Sequence, residues 1–240
     1  MDIGEGFSED RKLLNHATSA TVCCGAHAGS WALTKETIRL VNSRGLRLGV
    51  HPGYPDVANV GRKSIQPGQE KSYLDSIFAQ VRQFVAEARP AYLKPHGALY
   101  SDTSPILPPN WNVPLESGED AEAVFLARFP GIQTLSMLIR VYKLPLLGMP
   151  GTAHEQVAKR AKQNFLSEGF ADRRYGADGR LLPRSDPEAI IYDLKEIKDQ
   201  VLHLAKTVHS ICIHGDTEGC VEIAAHVSET LVRAGYRVGN

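Results

Sequence analysis

Short apolar runs, each ending in a polar or glycine-rich signature, recur along this chain, and stretches of helical periodicity lie between them. The signatures are Asp2-Ile3-Gly4-Glu5-Gly6-Phe7, Cys24-Gly25-Ala26-His27-Ala28-Gly29, His51-Pro52-Gly53-Tyr54-Pro55-Asp56, Lys94-Pro95-His96-Gly97-Ala98-Leu99-Tyr100, Gly148-Met149-Pro150-Gly151, Ala171-Asp172-Arg173-Arg174-Tyr175 and His214-Gly215-Asp216-Thr217. Short apolar runs alternating with amphipathic helices read as parallel strands covered on both faces. Polar signatures after nearly every strand bring side chains to one rim, where barrel enzymes build their sites. An open doubly wound sheet would gather its ligands at one crevice, and no G-x-G-x-x-G or P-loop pattern follows a strand. The expected fold is therefore α/β, a seven-stranded β/α barrel, and the expected protein is an enzyme.

The strand runs are 1–3, 20–24, 46–50, 91–93, 144–148, 165–166 and 210–213, and the helices are predicted over 31–43, 69–88, 119–129, 152–163, 194–208 and 218–234. A length of 240 residues suits one barrel domain. Pro105, Pro108, Pro109 and Pro114 forbid a helix in 104–118, which is expected as an exposed excursion, a lid or contact surface. Lys+Arg and Asp+Glu both number 27, so no net field recruits nucleic acid or an anionic membrane, and a small-molecule substrate is expected. No apolar run approaches the roughly 18 residues of a spanning helix, which points to a cytoplasmic protein. The four cysteines show no zinc-finger or Cys-x-x-Cys spacing and suit buried, reduced thiols.

His27, His51, His96 and His214 each stand in a strand-end signature. A single such histidine is usually a structural hydrogen-bonder, but four on one rim suggest a site. Asp2, Glu5 and Asp216 belong to the first and last loops, which closure of a barrel would bring together, and crowded carboxylates raise one another's pKa for acid–base or hard-metal work. The bland reading is that Asp216 caps the next helix and Asp56 caps a turn. Lys94 is expected to polarise a carbonyl or bind phosphate, serving catalysis rather than folding. Of the several arginines, one of Arg173 and Arg174 is expected to meet an anionic substrate.

Taken in order, the signatures resemble the LamB/YcsF family, the A subunits of bacterial ATP-dependent 5-oxoprolinase, with Gly61-Arg62, Ala177-Asp178-Gly179 and Pro183-Arg184 also matching. The resemblance implies a distorted seven-stranded β/α barrel related to carbohydrate-deacetylase barrels. It implies opening of the 5-oxoproline lactam to L-glutamate with ATP cleavage, ATP being shared with partner subunits B and C. On this reading Asp2, Glu5, His51, Lys94, His96 and Asp216 are catalytic, and His27, Asp56, Tyr100, Asp172, Arg173, Arg174 and His214 bind substrate. Two departures stand out: Ala26 replaces an aromatic, and Ser30 replaces an Asp, removing a carboxylate or helix cap. Family members also carry residues before the position of Asp2, so the first strand is expected to be a stub, with Asp2 and Glu5 on a flexible terminus. The alternatives are a self-sufficient metal-dependent amide or deacetylase-type hydrolase, with Asp2, His51 and His96 holding a divalent ion, and a degenerate scaffold subunit.

Overall fold

The computed structural model describes residues 1–106 and 131–239; most of the proline-rich excursion and the helix predicted at 119–129 lie outside the described residues. Seven strands, β1 Asp2–Ile3, β2 Ser19–Cys23, β3 Arg47–His51, β4 Tyr92–Leu93, β5 Leu146–Gly148, β6 Phe165–Phe170 and β7 Ser210–Cys212, pair in sequence order. Every pairing is parallel. A single parallel bridge between Asp2 and His214 brings the last strand back to the first and closes the ring. The fold is the distorted seven-stranded β/α barrel. Its distortion shows in β6, which pairs with β5 through Phe165–Ser167 and with β7 through Glu168–Phe170.

Strand side chains alternate between two environments, as a period of two requires. Ile3, Ala20, Val22, Leu48, Val50, Leu93 and Leu146 face outward into one apolar layer, packed by α2 (Trp31–Ser43), α3 (Glu70–Glu87), α5 (Ile132–Val141) and α6 (Ala153–Arg160). Ile213 joins a second layer beneath α7 (Leu194–Leu204) and α8 (Cys220–Arg233), which also buries Leu13 of the short α1 (Asp10–Leu13). The opposite parity supplies Asp2, Thr21, Cys23, Gly49, His51, Tyr92, Lys94, Glu168 and Cys212, so the barrel interior is largely polar. Gly49 is needed because Tyr92 crosses beside it: a Cβ there would lie 2.4 Å from Tyr92 Cε2 and 2.8 Å from Thr21 Cγ2.

The first strand is short, but it is not loose. Met1 O accepts from the Thr21 amide at 2.8 Å, the N-terminal ammonium donates to Ser19 O, and Asp2 is buried. The expectation of a flexible terminus is corrected: backbone pairing with β2 and the ion pair described below fix it. Ser30 keeps the cap of α2, its hydroxyl accepting from the Leu33 amide. Three of the described α-helices, α1, α4 (Gly97–Thr103) and α5, are absent from the sequence-based prediction.

Candidate active site at the barrel mouth

Lys94 lies at the centre of the barrel interior. Its ammonium donates to both oxygens of Asp2 at 3.0 Å and stands 2.8 Å from Glu168 Oε2 and 3.1 Å from Cys212 Sγ. Burial opposes its charge, but Asp2 and then Cys212 and Glu168 outweigh burial and hold the amine well above its usual pKa. Burial would likewise raise Asp2, yet Lys94, His51 and His214 keep that carboxyl well below the usual range. Glu168 has no such outcome: burial dominates and its pKa is raised. Lys94 therefore balances buried acids as well as facing the pocket, so the expectation of a purely catalytic lysine is revised.

Beside this charge cluster lies a group of imidazoles around Glu5. His51 Nδ1 donates to Lys94 O at 2.8 Å, and His96 Nε2 donates to Val60 O at 2.9 Å. Those bonds turn His51 Nε2 and His96 Nδ1 toward each other, 3.1 Å apart. Glu5 Oε1 is 3.3 Å from His96 Nδ1 and 3.4 Å from His27 Nε2. Burial drives His51 to a pKa of about 3 and, with the neighbouring His27 and His51, pushes His96 well below its ordinary value, so both rings are neutral. His27 stacks on His96 with ring centroids 3.8 Å apart, and fits only because residue 53 is glycine: a Cβ there would meet His27 Nδ1 at 2.4 Å.

The carbonyl that orients His96 comes from a strained residue. Val60 has φ 51° and ψ 43°, left-handed backbone that a β-branched side chain adopts at a cost of order 1–3 kcal/mol. Asp56 holds that loop by accepting from the Asn59 amide and side chain. Asp56 is therefore the turn cap rather than a pocket residue, and its expected substrate contact is corrected.

A cleft of about 750 Å³ opens above these groups, with Asp2, His51, Lys94 and His96 on its floor and Tyr100, Phe170 and His214 along its wall. Phe170 stacks on His214 and lies 5.1 Å beneath the Lys94 ammonium. His214 is fixed by Asp172, which accepts from its Nδ1 at 3.0 Å, from its amide and from Thr217 Oγ1 at 2.6 Å. Burial would raise Asp172, but His214 brings its pKa down to about 2. Asp172 thus positions a wall residue instead of facing the cleft.

The rim is cationic. Arg62, Arg173 and Arg184 line it, and the loop after β6 brings Arg180 to its edge. Asp216 accepts from Arg62 at 2.5 Å and from both Nη atoms of Arg184 at 3.0 and 3.2 Å. Burial and the neighbouring Arg184 lower Arg173 to a pKa of about 10, and its own donors go to Ala189 O and Leu182 O. Arg174 points away: it pairs with Glu196 on the outer surface, where alternation of successive side chains sends it, so its expected substrate role is corrected.

The expected crowding of Asp2, Glu5 and Asp216 does not raise their pKa values. Burial acts on all three, but Lys94 on Asp2, His27 and His96 on Glu5, and Arg184 and Arg62 on Asp216 reverse its effect. The expected metal set, Asp2, His51 and His96, divides between two clusters. Asp2 Oδ2 is 3.6 Å from His51 Nε2 but is committed to Lys94, whereas the donor atoms of Glu5, His51 and His96 lie within 4.8 Å of one another. Sequence reasoning missed Thr21, Glu168 and the part Cys212 plays. The available signal was parity: Glu168 and Phe170 share one strand face, as do Cys212 and His214.

The LamB/YcsF family matches residues 1–105 and 132–240. A protein from Mycobacterium avium that is named as the A subunit of 5-oxoprolinase is 34% identical over 99% of this chain and 95% of its own length. Its namesake from Streptomyces avermitilis is 32% identical over 99% and 96% of the two chains. A solved structure, the lactam utilization protein from Thermus thermophilus, superposes with a TM-score of 0.72 at 26% identity, covering 99% of this chain and 96% of that one.

Proposed function

Because the chain belongs to the LamB/YcsF family, we propose that it is the lactam-handling A subunit of an ATP-dependent 5-oxoprolinase, converting 5-oxoproline to L-glutamate together with subunits B and C. One observation carries this reading: a single cleft joins a buried ammonium and unprotonated imidazoles on its floor to arginines on its rim. Its volume of about 750 Å³ lies within the roughly 300–1,000 Å³ usual for small-molecule sites. A cyclic amide bearing a carboxylate matches both ends. The carboxylate meets Arg62 and Arg184, whose planar groups suit bidentate contact, and the ring carbonyl reaches down toward Lys94.

An unactivated lactam is a poor electrophile. Phosphorylation of its oxygen by ATP, shared with the partner subunits, activates the ring carbon to water. The ring nitrogen then takes a proton and leaves, opening the ring to an acyl phosphate that a second water hydrolyses to glutamate and phosphate, and preorganised cations stabilise the charge that develops on the oxygen. Lys94 is held charged for this by Asp2. The lone pairs of the Glu5–His51–His96 group activate the attacking water. The test is reconstitution: 5-oxoproline-dependent ATP hydrolysis and glutamate release, measured with this chain, subunits B and C, and each omission. Coupled turnover only in the complete mixture supports the reading. Equal turnover without this chain overturns it.

A further inference from the structure

The tautomers at the mouth leave donors without protons between them. His51 Nδ1 and His96 Nε2 each spend their N–H on a backbone carbonyl, at 2.8 and 2.9 Å, so His51 Nε2 and His96 Nδ1 face each other as lone pairs 3.1 Å apart. Glu5 Oε1 adds a third acceptor 3.3 Å from His96 Nδ1, and among the described residues its ion-pair neighbours are imidazoles, with no ammonium or guanidinium. Three acceptors converging in a buried place repel one another unless a proton or a metal cation lies between them, and burial opposes a further proton on His51 and His96. Ligands about 2.1 Å from a tetrahedral ion are roughly 3.4 Å apart, close to these spacings. Distal N–H groups anchored on carbonyls are the usual outer support of metal-bound imidazoles.

We propose that Glu5, His51 and His96 form a binding site for one first-row divalent cation, such as Zn²⁺ or Mn²⁺, through Glu5 Oε1, His51 Nε2 and His96 Nδ1. One carboxylate and two imidazoles suit such ions better than Ca²⁺ or Mg²⁺. A second grouping, Asp2, Cys212 and His214, also has clustered donors, but the Lys94 ammonium already stands there as the cation, within 3.1 Å of Asp2 and Cys212. The proposal rests on the water-activating part of the function proposed above and refines it: with these lone pairs on the ion, the ion instead of the residues themselves would polarise the water.

The test is binding by the full chain without lactam or nucleotide, so its outcome is separate from turnover. Chelator-stripped protein is titrated with Zn²⁺ by calorimetry and with Co²⁺ by visible absorption. One ion per chain is expected, with a rise in melting temperature on saturation. Glu5→Gln and His96→Gln each weaken binding by about 100-fold or more, whereas Cys212→Ser leaves it unchanged. Circular dichroism shows which variants remain folded, and Glu5→Gln serves if His96→Gln does not. No saturable uptake by the folded wild-type chain at millimolar metal, or undiminished uptake by folded Glu5→Gln, overturns the assignment, as does loss of the ion in folded Cys212→Ser.

Discussion

Replacing Lys94 with methionine keeps the apolar stem and deletes the ammonium between Asp2 and Glu168. That ammonium lies 3.0 Å from both Asp2 oxygens and 2.8 Å from Glu168 Oε2, and its side chain is 3% exposed. Removing one partner of a buried pair costs about 3–5 kcal/mol, out of a total of roughly 5–15 kcal/mol for a folded domain. We expect about 3 kcal/mol, because Thr21 Oγ1 still donates to Asp2 at 2.5 Å and Glu168, already raised by burial, takes up a proton. The deficit also depends on pH. In the wild-type chain the lowered Asp2 pKa contributes stability above the unfolded carboxyl value, and that contribution is lost as pH falls through the folded value. In the variant, the Lys94 ammonium no longer opposes burial, which outweighs the smaller His51 and His214 contributions at Asp2 and the Tyr100 contribution at Glu168, so their folded pKa values exceed the unfolded ones. Stability then falls as pH rises through that interval, and the difference from wild type widens between pH 5 and pH 8. Urea denaturation at both pH values measures it. A deficit under about 0.5 kcal/mol at pH 8, or a larger one at pH 5, refutes the counter-ion argument.

Three further outcomes follow from particular contacts. Gly49→Ala forces a Cβ to within 2.4 Å of Tyr92 Cε2, so the urea midpoint drops by the equivalent of about 1–3 kcal/mol, and an unchanged midpoint counts against the packing described. Asp10, whose Oδ2 accepts from the Gly4 amide, has its pKa raised to about 6, chiefly by burial. The native state therefore binds more protons than the unfolded one between about pH 4 and 6, and stability declines across that range; Asp10→Asn flattens the decline in a pH series of melting temperatures. Arg174→Ala, which breaks the exterior pair with Glu196 and an exposed hydrogen bond to Glu188 O, leaves turnover unchanged, and a loss of turnover places Arg174 back at the site.

Much of the architecture was legible because outward-facing strand residues are apolar. Val22, Val50, Leu93 and Leu146 write runs that end within one residue of where the structure ends its strands. The helix predicted at 31–43 coincides with α2, whose buried positions 34, 37, 38 and 41 have helical spacing. The interior was harder to read. In β6, Ser167-Glu168-Gly169 resembles a loop, so the predicted strand stopped at Leu166; only Lys94, 74 residues earlier in the chain, makes Glu168 a strand residue. The signatures located the mouth histidines, but Arg173 and Arg174 are adjacent, and only the fold sends one to the cleft and the other to Glu196. Asp2 and Glu5 divide similarly, since Lys94 takes the first and leaves the second to the imidazoles.

The central claim is that lactam chemistry takes place in this cleft, with the arginine rim holding the substrate carboxylate. Arg184 suits a direct test because its side chain is 26% exposed and its described ion pair is with Asp216 at the rim, so its removal spares the core. The measurement is the KM for 5-oxoproline of the assembled three-subunit mixture containing Arg184→Met. Losing a charged hydrogen bond worth about 1.5–3 kcal/mol raises KM by roughly 10- to 100-fold, with melting temperature unchanged. An unchanged KM in a folded, assembled variant contradicts the claim.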